Sequence, residues 1–200
     1  MISSRTELLF YPMKTILLLL SIIVLNSCIS ASIAVNTSGH SENQSQAYDS
    51  SETKPDILVG KHQRAALEQQ PFASWFTTNY EEYTVDTETA AKIAPHLKDI
   101  SVKAFMGTWC SDSKRETPAF YKIMDEAKFD YNNFELITVT RSKDTPEGFE
   151  KGLKIQRVPT FIFYKDGKEV GRYVEFARES LEKDILAILS GQGYKHSYED

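Results

Sequence analysis

Trp109-Cys110-Ser111-Asp112-Ser113 follows the short apolar run Ile100 to Met106, and the run from Ser111 to Glu116 after the cysteine is polar. A short apolar run of this length suits a buried strand, and the segment after Cys110 reads as a helix that reaches Pro118 and continues through Phe120, Ile123, Met124 and Ala127. Pro118 should kink that helix, because it lacks an amide donor and clashes with the preceding turn. Cys110 therefore stands where a strand gives way to a helix. The thiolate is the reacting form of cysteine, and the free amides and positive dipole end of a helix N-terminus stabilise it. Asp112 opposes this by placing negative charge within the same turn. The competing reading is a small buried core thiol, against which Trp109 and the polar run point to a surface position.

Outward from this junction, Phe134 to Thr140 is β-branched and apolar enough for a second buried strand, with Pro146 to Leu153 expected as a helix behind it. Phe161 to Tyr164, Asp166-Gly167 and Glu169 to Val174 read as a hairpin, since an Asp-Gly pair accepts the positive φ angles of a tight turn. Glu179 to Leu189 carries Leu181, Ile185, Ile188 and Leu189 on one helical face, and Gly191 can terminate it. Upstream, Asp56 to Gln70 and Pro71 to Tyr83 are expected to be helical, the second with Phe72, Trp75, Phe76, Tyr80 and Tyr83 packing on a sheet. Asp86 should cap a helix from Thr87 to about His96. No internal repeat is visible.

The N-terminal part reads differently. Met13-Lys14 and the apolar stretch Ile16 to Leu25 fall short of the roughly 20 residues a spanning helix needs but suit a signal sequence. Met1 to Pro12 is a poor start for one, which leaves Met1 and Met13 as alternative starts. Leu25-Asn26-Ser27-Cys28 resembles a lipobox, with Asn26 departing from the usual small residue. Residues 1–27 are thus expected to be a lipoprotein signal peptide, Cys28 the lipidated residue, and 28–56 a flexible Ser-, Asn- and Gln-rich tether. The expected place is a bacterial cell envelope, facing the periplasm. Ile29 and Ser30 bring no acidic retention residue, which favours the outer membrane. The formal net charge of −5 becomes one unit more negative on processing, because Arg5 and Lys14 leave with Glu7, and nucleic acid is not an expected partner. A hydrophobic content of 41% supports one domain over 57–192, followed by a tail at 193–200.

The order strand, Cys-bearing helix, strand, helix, Val158-Pro159-Thr160 strand, hairpin strand and final helix resembles the thioredoxin fold, over about Leu97 to Leu189. Trp109 before the cysteine, Pro118 after it, Pro159 and the turn Lys165-Asp166-Gly167-Lys168 match that family together. The resemblance implies an α/β thioredoxin-like fold, a central mixed sheet flanked by helices, here with an N-terminal helical extension. It also implies a cis bond before Pro159, with Trp109, Val158 and Pro159 forming the wall to which an extended substrate pairs.

Three departures stand out. Ser113 replaces the second cysteine of Cys-x-x-Cys, Ala104 replaces a buried aspartate six residues before the first cysteine, and Val174-Glu175 replaces a Val-Gly pair beside the sulfur. Ser113 could hold the thiolate, or could cap the helix through the Ser113-Lys114-Arg115-Glu116 pattern. Glu175, like Asp112, could act as acid/base, or could be a solvated surface carboxylate. The expected function is a membrane-tethered monothiol thiol-disulfide oxidoreductase of reductase or isomerase type. It would act through Cys110 mixed disulfides with disulfide-containing proteins or small thiols, with no cofactor. A redox-inactive peptide-binding module is the alternative. His40, His62, His96 and His196 stand apart from any ligand spacing, so no metal is expected.

Overall fold

The computed structural model describes residues 57–199. The expected signal peptide, Cys28 and the expected tether to Asp56 lie outside the described residues. The elements are β1 (Gly60–His62), α1 (Ala73–Glu82), α2 (Thr87–Ile93), β2 (Ile100–Met106), α3 (Ser111–Glu126), β3 (Phe134–Thr138), β4 (Thr160–Lys165), β5 (Lys168–Val174) and α4 (Leu181–Leu189). The strands form one sheet in the order β1-β3-β2-β4-β5, with β2 and β3 parallel and all other pairs antiparallel. This is the expected α/β thioredoxin-like fold, a five-stranded mixed sheet flanked by helices.

Alternation along the strands sorts the side chains between two faces. Ile100, Val102, Ala104 and Met106 of β2 join Leu136, Phe161, Phe163 and Tyr173 in a large core with residues from all four helices, including Phe76, Ile93, Phe120 and Ile185. Phe105 faces the other way, into a smaller cluster with Ile137, Val139, Val158 and Ile162. Farther along that second face the strands are wet, where Lys103 and Lys61 both pair with Glu135.

Two expected helices do not form. Over Asp56–Gln70 the described residues hold the edge strand β1 and a single 3-10 turn, Arg64–Ala66. Gly60, at φ +106°, leaves the helical region, and its neighbours instead pair with β3. Over Pro146–Leu153 there are only turns. Gly148 and Gly152 both take positive φ, and the Glu150 carboxylate accepts the Thr145 amide and hydroxyl at 3.1 and 2.8 Å, so side chains satisfy the backbone that a helix would have used.

Elsewhere the local signals act as read. Asp86 accepts from the Thr89 amide at 3.1 Å as the α2 cap. Asp166 and Gly167 take φ of 50° and 73° in the hairpin turn, and Gly191, at φ 70°, follows the end of α4. The helix α3 runs through Pro118. The Lys114 carbonyl, which lacks its usual partner four residues on, accepts from Asn79 Nδ2 on α1 at 2.8 Å.

Candidate active site

Cys110 is the first, half-in residue of α3, with extended backbone and a side chain that makes no capping bond. It is partly exposed, and its Sγ donates to the Val158 carbonyl at 3.3 Å. The Val158–Pro159 peptide is cis, as expected from the resemblance. Cys110 and Val158 thus meet although 48 positions separate them. The thiol proton is what pairs this carbonyl, so ionisation of Cys110 releases Val158 O as a free acceptor at the edge of the site.

Trp109 is fixed by a bond from its Nε1 to the Val139 carbonyl at 2.9 Å. Gly107 makes room for it, since a Cβ there would fall 2.6 Å from the indole Cε2. Ser113 is fully buried, and its Oγ accepts the Gly107 amide at 3.1 Å. The capping reading of Ser113 is therefore overturned. The helix begins at Ser111, Ser113 lies inside its first turn, and Glu116 bonds Arg115 and the Tyr173 hydroxyl instead of reaching back.

The two carboxylates near the site are both tied down. Asp112 pairs with Arg115 at 2.9 Å. Glu175 pairs with Arg157 at 3.1 Å and also accepts from the Tyr198 hydroxyl. The Glu175 amide donates to the Pro159 carbonyl at 2.8 Å, so the loop after β5 does adjoin the cis-proline segment. Glu175 sits at φ 64°, a conformation that favours glycine and costs another residue about 1 kcal/mol. Gly193 to Glu199 fold back toward this loop. Ser197 Oγ donates to the Phe176 carbonyl at 2.6 Å, and Arg157 lies 3.9 Å from the Tyr198 ring centre.

The sequence reading missed Gly107, Val139, Arg157 and Tyr198, together with Arg141 and Lys143, which lie 5.2 and 5.9 Å from the Trp109 ring centre. Only Gly107 carried a local signal, as a glycine between a strand and a bulky ring. The others arrive from distant segments.

The Thioredoxin family model matches residues 82–187, just over half of the chain. The chain belongs to the thioredoxin family. A thioredoxin-like protein of Acanthamoeba polyphaga mimivirus is 24% identical over 53% of this chain and 74% of its own length. The Thioredoxin of Geodia cydonium is 33% identical over 46% of this chain and 86% of its own. Thioredoxin H9 of Arabidopsis thaliana is 30% identical over 45% of this chain, which spans only 60% of that relative. The matched region contains Trp109, Cys110, Ser113, Val158, Pro159 and Glu175. Within this thioredoxin-family domain, the place of the second cysteine is thus taken by a buried serine hydroxyl bonded to the backbone.

Proposed function

We propose that this protein is a monothiol thiol-disulfide oxidoreductase in which Cys110 attacks substrate disulfides. The observation that carries this reading is the Cys110 sulfur, partly exposed at a helix N-terminus and 3.3 Å from the carbonyl that precedes the cis-proline. The Cys110 thiolate attacks one sulfur of a disulfide, forming a new S–S bond to Cys110. The old S–S bond breaks, and its other sulfur leaves as a thiolate with the bonding electron pair and takes a proton from solvent. Ser113 offers no sulfur for a second attack, so an external thiolate, or a second thiol of the substrate, attacks the mixed disulfide and returns Cys110 as thiolate. The protein is neither oxidised nor reduced over the cycle. Electrons pass from the incoming thiol to the original disulfide.

Trp109, Val158 and Pro159 are the wall along which an extended substrate segment pairs, with Val158 O as the acceptor that ionisation frees. Incubation with oxidised glutathione should raise the intact mass by one glutathionyl adduct, lost in Cys110→Ser. A folded chain whose Cys110 stays unmodified, yet reacts once unfolded, would favour a binding module instead. The support for a membrane tether is the lipobox-like Leu25-Asn26-Ser27-Cys28 after a short apolar stretch. In this reading Cys28 carries the acyl chains, two or more of which hold a protein stably on a bilayer. Fatty-acid labelling should then mark the wild type and not Cys28→Ala, and a labelled Cys28→Ala chain would contradict it.

A further inference from the structure

The charges around Cys110 are not evenly placed. Asp112 and Glu116 share Arg115, and Glu175 pairs with Arg157. On the Trp109 side, Arg141 and Lys143 stand over the indole at 5.2 and 5.9 Å, and neither forms an ion pair with a described residue. A ring quadrupole attracts a cation without cancelling its charge or occupying its N–H donors. The carboxylate closest in sequence, Asp144, is exposed and accepts from the Thr140 hydroxyl, a bond that leaves its charge in place. Arg141 and Lys143 against Asp144 leave this turn beside Trp109 with an excess of one positive charge, in a chain whose net charge is −5.

The backbone that carries these cations is held in place. They sit on a closed turn in which the Thr140 amide donates to the Asp144 carbonyl at 3.0 Å and the Lys143 amide to the Thr140 carbonyl at 2.9 Å. The Ser142 amide adds a bond to Thr140 Oγ1 at 3.1 Å. The turn follows Val139, whose carbonyl anchors the Trp109 ring. The turn is thus tied through Val139 to the Trp109 ring, and Trp109 is the residue directly before Cys110.

We propose that Arg141 and Lys143 form an anion-recognition rim that makes Cys110 select disulfide partners bearing carboxylates close to the sulfur. This rests on the oxidoreductase reading above. Guanidinium and ammonium donors pair with a carboxylate through charge-assisted hydrogen bonds, and the positive field raises the local concentration of an anionic partner before contact.

The test uses the full chain carrying Cys28→Ala, so that Cys110 is its sole thiol, and three small probes: neutral 2-hydroxyethyl disulfide, dianionic 3,3′-dithiodipropionate and dicationic cystamine. Each exchange rate is divided by that probe's rate with 2-mercaptoethanol, which removes intrinsic reactivity. The normalised rate should be about tenfold higher for the dianion than for the dication at low salt, as a few screened charge pairs at this range supply. That ratio should fall toward one in Arg141→Gln/Lys143→Gln and on raising ionic strength to about 0.5 M. Equal normalised rates for all three probes would overturn the rim while leaving the oxidoreductase reading intact. A ratio that survives both substitutions would overturn the assignment to these residues. No exchange even with the neutral probe would overturn the oxidoreductase reading and the rim together.

Discussion

One face of the sheet is covered by helices and the other by loops, and the candidate site lies with the loops. On the helical face Phe120 packs 4.3 Å from Phe161, centre to centre, inside a core that all four helices share. On the opposite face five buried residues suffice, with Trp109, Cys110, Leu153 and Ile155 only partly covered. The difference teaches how this domain divides its work. A dense core holds the strands and the start of α3 in register, so that the thin face can leave a sulfur accessible without losing its position.

The largest effect expected from breaking this division is on the helical face. Phe120→Ala should cost about 3–5 kcal/mol in urea unfolding, the usual range for emptying a fully buried aromatic site. If the cost were below 1 kcal/mol, the helical face would not be the main support of the domain. On the thin face, Gly107→Ala should cost about 1–3 kcal/mol, because the added methyl meets backbone-anchored indole and forces Trp109 off the Val139 carbonyl. Trp109 fluorescence and Cys110 alkylation rate should both change, whereas unchanged values would mean that the ring is not held by this contact.

A smaller effect sharpens the contrast through pH. Arg64, Asp125, Tyr80 and Tyr131 form a network beside the helical core, with Arg64 and Asp125 at 2.7 Å. Burial alone would push the Asp125 carboxyl up, but hydrogen bonds from Arg64, Tyr131 and Tyr80 outweigh it and hold it below the ordinary carboxylate value. A group lowered by folding contributes stability above its unfolded value, near 3.9, and that contribution is lost as pH falls through the lower folded value. The gap in urea midpoint between wild type and Asp125→Asn should therefore be widest near neutrality and shrink below about pH 4. A gap independent of pH would remove this charge from the account. Solvent reaches both partners, so the effect should be modest.

Most of the fold was legible because its signals are local. The β2 run, the Asp-Gly turn, the Asp86 cap and the stop at Gly191 each act through neighbours in sequence. Asp56–Gln70 and Pro146–Leu153 were misread because pairing at a sheet edge and capture of the backbone by Glu150 decided them, and neither is visible in a window of residues. The same holds at the site. Cys110, Trp109 and the cis-proline could be named from motifs. Of the two readings of Ser113, the cap fails because a four-residue pattern does not say where the helix starts. The ties of Glu175 to Arg157 and Tyr198 span 18 and 23 positions, and no spacing rule announces them.

The central claim is that one sulfur works without an internal partner, and the lifetime of its mixed disulfide tests this most directly. With Cys110 loaded by a glutathionyl group and the excess removed, the adduct on the Cys28→Ala chain should persist without added thiol and disappear at a rate proportional to added thiol concentration. Ser113→Cys should clear the same adduct unaided by closing a disulfide with Cys110. Spontaneous loss of the adduct from the single-thiol chain, or a rate independent of thiol concentration, would contradict the account.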